Sequence, residues 1–134
     1  MKAIKLLPQI GLAFVLSTST FAVHSLGLGD LDLQSQLNQR LDAHIPVFVA
    51  EDTDPSDINV RLAADEHFAR AGITRSATAS QLMFSPKRTA EGKMVISIKS
   101  RSRMTEPMLS FVLEVAEGEV TAVKKYTVML PPPR

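Results

Sequence analysis

The chain of 134 residues has no cysteine and no tryptophan, and its aromatic side chains are six phenylalanines and one tyrosine. The missing cysteine excludes disulfides, thiolate metal sites and a cysteine nucleophile. Without tryptophan and with a lone tyrosine, few faces remain on which nucleic-acid bases could stack. Neither sign of charge is in large excess, the formal net charge being +1. Repeats and low-complexity tracts are also lacking. Such a chain must be held together by an apolar core.

What is present begins at the amino end. Residues 1–5 carry Lys2 and Lys5 and no acid, residues 6–16 are predominantly apolar, and residues 17–25 are rich in small and hydroxylated side chains. That order is the pattern of a secretory signal. Pro8 and Gln9 interrupt the apolar run, which falls short of the roughly 20 residues that span a bilayer. Cleavage is expected after Ser25, with Ala22 as the alternative site, leaving a mature chain without a transmembrane helix. Loss of Lys2 and Lys5 takes the net charge from +1 to −1. The basic balance therefore resides in the leader, and no nucleic-acid partner is expected.

Beyond the leader, alternation of apolar and polar residues dominates, as in half-buried strands. Leu31 and Leu33 alternate with acids. Leu41, Ala43, Ile45, Val47 and Val49 share one face, as do Ile58, Val60 and Leu62. Met94, Ile96 and Ile98 form another inward set, with Val95 facing out. Leu109, Phe111, Leu113 and Val115 make the longest inward series. Val120, Ala122, Tyr126, Val128 and Leu130 share one parity, broken by Lys124. Glu117-Gly118 predicts a hairpin turn, Gly92 a second turn, and Pro107 a break before the next strand. Residues 64–71, ending at Gly72, read as one short helix with Phe68 and Ala71 inward.

These elements predict a mostly all-β fold, an immunoglobulin-like sandwich of six to seven strands with one short helix. The expected division is a signal peptide over residues 1–25, the sandwich over 26–130, and a proline-rich end or linker start over 131–134.

Lys99, Arg101 and Arg103 share one strand parity and form a basic stripe, the candidate partner-binding residues. Lys87, Arg88, Lys124 and Lys125 are expected nearby. Basic residues on an exposed strand also discourage edge-to-edge aggregation, and that plain role competes with binding. His44 and His67 lack the spacing of a zinc pair. Asp52, Asp54 and Asp57 resemble part of a calcium loop but lack its turn glycine and distal glutamate. Asp57 is expected instead to accept from loop amides, and Asp30 and Asp32 to form a solvated acidic strip. Ser97 and Ser110 sit mid-strand, without the surroundings of a nucleophile elbow. No catalytic residue, metal or cofactor is expected.

Four blocks together resemble a known family. The stretch Leu26-Gly-Leu-Gly-Asp-Leu-Asp-Leu, continuing through Leu37-Asn-Gln-Arg-Leu-Asp-Ala43, is similar to the start of the periplasmic N-terminal domain of the FimV/HubP proteins. Further likeness lies in Val60-Arg-Leu-Ala63 with Phe68-Ala-Arg-Ala-Gly-Ile73, then in residues 106–115 and 126–132. The resemblance implies a periplasmic, non-enzymatic scaffold of Gram-negative bacteria acting in type IV pilus assembly, twitching motility or cell-pole organisation. Its partner would be a periplasmic protein. Where the family usually has an Asn-Trp-Pro-Ser-Gly-like turn, this chain has Ala116-Glu-Gly-Glu-Val120 and no aromatic anchor. Residues 1–134 do not reach the family's LysM, membrane and cytoplasmic regions, so peptidoglycan contact is expected only indirectly or weakly. A free-standing wall-glycan or small-ligand module is the alternative reading, a small hydrolase a more remote one, and a decaying fragment without a partner the dullest.

Overall fold

The alternation is realised as two antiparallel sheets whose apolar faces meet, in a computed structural model that describes residues 26–133. The first sheet contains β1 (Gly27–Leu28), β2 (Asp32–Leu33), β3 (Arg40–Phe48), β5 (Leu82–Arg88) and β6 (Met94–Arg103). Its order is β1-β3-β6-β5, with β2 also on β3. The second holds β4 (Ile58–Leu62), β7 (Met108–Glu117) and β8 (Val120–Met129), in the order β4-β7-β8. The expected cleavage site lies outside the described residues.

Leu41, Ile45, Ile96, Ile98, Phe111 and Leu113 are all fully buried between the layers. Each such side chain contributes roughly 1.5–3 kcal/mol by leaving water, so the core alone accounts for cohesion without a disulfide. Phe111 is its centre, with ring centroids 6.2 Å from Phe84 of the first sheet and 5.7 Å from Tyr126 on its own.

Gly118 has φ +60° in the turn between β7 and β8, as its sequence position predicts. The crossing from the second sheet to the first departs from expectation. Besides α1 (Asp65–Arg70) it contains α2 (Ala77–Ser80), a single turn capped by Ser76, whose hydroxyl accepts from the Ala79 amide at 3.0 Å. Gly72, with φ +75°, ends α1, and the Ile73 amide returns to the Phe68 carbonyl at 3.1 Å. Arg75 then holds α1 in place: it bonds Asp65 and the Ala63 carbonyl and lies 5.0 Å over the Phe68 ring. β5 is likewise absent from the alternation read along the sequence.

The amino-terminal arm lies on the first sheet, Gly27 opposite Phe48 and Leu28 opposite Val47. A Cβ on Gly27 would come within 3.3 Å of the Phe48 ring, and one on Gly29 within 3.2 Å of Pro46. The two glycines let Phe48 and Pro46 close over the arm's backbone. The strand expected around Leu31 and Leu33 shrinks to Asp32–Leu33.

Candidate partner-binding face

Side chains alternate across a strand, so burying Met94, Ile96 and Ile98 obliges Lys99, Arg101 and Arg103 to point to solvent. All three basic residues are exposed on the outer face of the five-stranded sheet. Lys99 lies opposite Asp42 on β3 and Met83 on β5. Its ammonium is 3.4 Å from the Asp42 carboxylate, a solvent-exposed pair worth at most about 1 kcal/mol.

Toward its end the strand changes character. Asp42 faces Lys99 but Arg40 faces Arg103, so β6 carries extra residues relative to β3 around Arg101. Such a bulge deprives a ladder amide of its partner. Here the buried Ser100 hydroxyl takes the Leu41 amide at 2.7 Å and donates to the Ser102 carbonyl at 2.6 Å. Gln81 closes the other side, its amide oxygen accepting from both the Ser102 amide and hydroxyl. These bonds brace the bulge, which presents Arg101 and Arg103 beside Arg40. None of the three has an acidic partner within ion-pair distance among the described residues. Arg40 was not apparent from the sequence, because only the β3–β6 register brings it opposite Arg103.

Of the other cations, Lys87 joins this face, lining with Lys99, Met83, Ser85 and Ser97 a shallow depression of about 250 Å³. Arg88 does not. Its guanidinium is spent on the carbonyls of Glu51, Thr53 and Gly92, tying the loop after β3 to the turn before β6. Lys124 and Lys125 belong to the second sheet. Lys124 sits 5.3 Å over the Tyr126 ring and 3.6 Å from the Asp30 carboxylate, so Asp30 is an ion-pair partner as well as a solvated acid.

The remaining sequence candidates fall apart in space. His44 lies on β3 opposite Asp32 and Ser97, whereas His67 lies on α1 in the crossing. No group of three His, Asp or Glu side chains able to hold a metal occurs among the described residues. The acceptor of the acidic loop is Asp54 rather than Asp57: its carboxylate takes the Ser56 amide at 2.9 Å and hydroxyl at 2.8 Å. Those bonds, the backbone one first, hold its carboxyl below the usual range. Ser97 is buried, and Ser110 shares a 3.0 Å hydrogen bond with Thr127.

Residues 26–133 match the model of the FimV N-terminal domain, an Ig-like domain. The chain belongs to the FimV N-terminal domain family. It is 37% identical over 110 residues to the motility hub protein FimV of Pseudomonas aeruginosa, in both strain PAO1 and strain UCBPP-PA14. That match covers 82% of this chain and 12% of each relative, so the chain spans about an eighth of their length. Among solved structures, the BIgI domain of beta protein from S. agalactiae bound to CEACAM1 is similar at TM-score 0.42 and 7% identity. The overlap covers 82% of this chain and 98% of that one. By its family and its two facing antiparallel sheets the fold is the Ig-like sandwich that the alternation predicts, and no described helix is long and apolar enough to cross a membrane. Motility hub proteins and Ig-like domains are non-catalytic kinds of protein.

Proposed function

We propose that the mature chain is a non-enzymatic interaction domain exported to the periplasm. It docks a protein partner as part of a scaffold for type IV pilus assembly, twitching motility or polar organisation. The observation that carries this reading is the cluster of Arg40, Arg101 and Arg103, exposed without counter-ions beside Lys99 and Lys87. Cations left unpaired on a rigid sheet face steer and orient an acidic partner surface, at little conformational cost to the sheet itself. The exposed Met83 at the same face adds an apolar contact.

Replacing Lys99, Arg101 and Arg103 together by glutamate should weaken capture of the partner from periplasmic extract while the protein stays folded, its melting temperature falling only slightly as the exposed Lys99–Asp42 pair is lost. Unchanged capture would overturn the assignment of this face. Sedimentation with purified peptidoglycan separates the wall-glycan reading: an interaction domain of this kind stays in the supernatant.

A further inference from the structure

Besides β1 and β2, which are only 2 residues long each, three strands among the described residues lack a neighbouring strand on one side, and they differ in how they are protected. In β5 the register with β6, continued by the Thr89 amide bonding to Lys93, directs the backbone groups of Phe84, Pro86 and Arg88 outward. Pro86 thus occupies a slot where it breaks no ladder bond and offers no amide to a visiting strand. β4 is only 5 residues long, and it lies against β5 at the corner of the sandwich.

β8 has no such protection. It is 10 residues long, contains no proline and carries no register shift against β7. The tight turn closes on Glu117 opposite Val120, and the Leu130 amide bonds to the Pro107 carbonyl at 2.8 Å at the far end of the same ladder. In such a ladder alternate residues bond inward. The backbone groups of Thr121, Val123, Lys125, Thr127 and Met129 therefore point away from β7, and no described strand lies on that side. Alongside runs a groove of about 400 Å³ between β8 and the arm residues Asp30, Leu31 and Leu33.

We infer that this edge receives an extended strand from a partner protein, one that alternates apolar residues with a central acid. This deepens the proposed scaffold reading and rests on it. Backbone pairing supplies the affinity and alternate side chains the selectivity. Residues of the added strand beside Tyr126 and Val128 face the groove and meet Leu31 and Leu33, which requires apolar side chains. The residue opposite Lys125 lies on the same outer face as its ammonium, which rests 3.4 Å from the Ala71 carbonyl and has no acidic partner among the described residues, and this favours an acid there. A second copy of this chain does not fit. Antiparallel pairing through all the outward slots of β8 sets Lys125 directly against its own copy, and like charges in that position repel.

The test uses the purified protein and a capped nine-residue peptide alternating threonine and valine around one central glutamate, with a lysine-centred counterpart. The glutamate peptide is expected to shift the amide resonances of Thr121, Val123, Lys125, Thr127 and Met129, leaving those of Lys99 and Arg103 in place. Thr127→Pro removes an outward amide and no backbone bond of the β7 ladder, giving up the Ser110 side-chain bond, and should abolish binding in a protein whose resonances away from Thr127 and Ser110 stay in place. Lys125→Glu is a surface change that should weaken the glutamate peptide about fivefold and strengthen the lysine peptide. Absence of binding, binding indifferent to Thr127→Pro, or equal affinity of both peptides for either protein would overturn the inference. So would a dimer that Thr127→Pro dissociates, because the occupant would then be a second copy. Failure here with capture still dependent on Lys99, Arg101 and Arg103 would leave the scaffold reading standing.

Discussion

The Tyr126 hydroxyl donates to the Gly29 carbonyl at 2.9 Å, fastening the amino-terminal arm to the last strand of the opposite sheet. Lys124 reinforces the link, its ammonium lying 3.4 Å from the Leu28 carbonyl and 3.6 Å from the Asp30 carboxylate. Tyr126 in turn stacks on Phe111, with 27° between the rings. The arm is thereby coupled to the centre of the core, although its own strands are each 2 residues long. Removing the hydroxyl by Tyr126→Phe should cost about 1 kcal/mol in urea denaturation, the usual net worth of such a bond. Amide exchange should accelerate first in the arm.

The same contact makes a pH prediction. Burial, and secondarily the Asp30 charge, raise the Tyr126 hydroxyl to about 12 from an ordinary value of 10.0. A raised value in the folded state means that the neutral phenol is preferred there. Its contribution is complete below about pH 10 and is lost as pH climbs toward 12. Because Tyr126 is the only tyrosine, phenolate absorbance reads this one group. Titration should come near pH 12 in the folded protein and near 10 in urea, with the melting temperature falling between them. A folded-state midpoint near 10 would show that the hydroxyl is not engaged.

Ser100 supports the face that displays the unpaired arginines. Ser100→Ala leaves the buried Leu41 amide without an acceptor, at a cost of about 1–3 kcal/mol. Thermal or urea unfolding measures this. Ser100→Thr keeps the acceptor and should recover part of the loss.

Arg88 looks like a surface cation in the sequence but acts as a clasp. Arg88→Lys retains the charge yet cannot reach the carbonyls of Glu51, Thr53 and Gly92 together, since an ammonium lacks the guanidinium's planar fork. Stability should drop by roughly 1–3 kcal/mol even in this charge-conserving variant. Partner capture should persist.

Strands β3, β4, β6, β7 and β8 were legible because each buries one face, which writes a period of two into the chain. β5 was hidden by Ser85-Pro86 and by Arg88 on its inward parity; only the topology shows that Pro86 borders an open edge. α2 has no apolar periodicity to detect, being one turn of Ala, Thr and Ser. The basic stripe could be read from parity alone. Its Asp42 counter-ion, its Arg40 neighbour and the bulge held by Ser100 depend on the pairing of β3 with β6, in which Leu41 and Ser100 are 59 residues apart, and no local pattern encodes it. Asp54 rather than Asp57 became the loop acceptor because it stands immediately before the helical turn Pro55–Asp57, where its carboxylate reaches the Ser56 amide.

The most direct measurement places a photoreactive amino acid at Met83, beside the basic row, or at Arg61, on the outer face of the opposite sheet, in cells that express the exported protein. A crosslinked adduct is expected from position 83 that is lost when Lys99, Arg101 and Arg103 are changed to glutamate, and none from position 61. Raised salt should weaken the corresponding capture in extract, because exposed charges are screened. Adducts of equal yield from both faces, or an adduct from position 83 indifferent to the charge reversal, would contradict the role of the basic row.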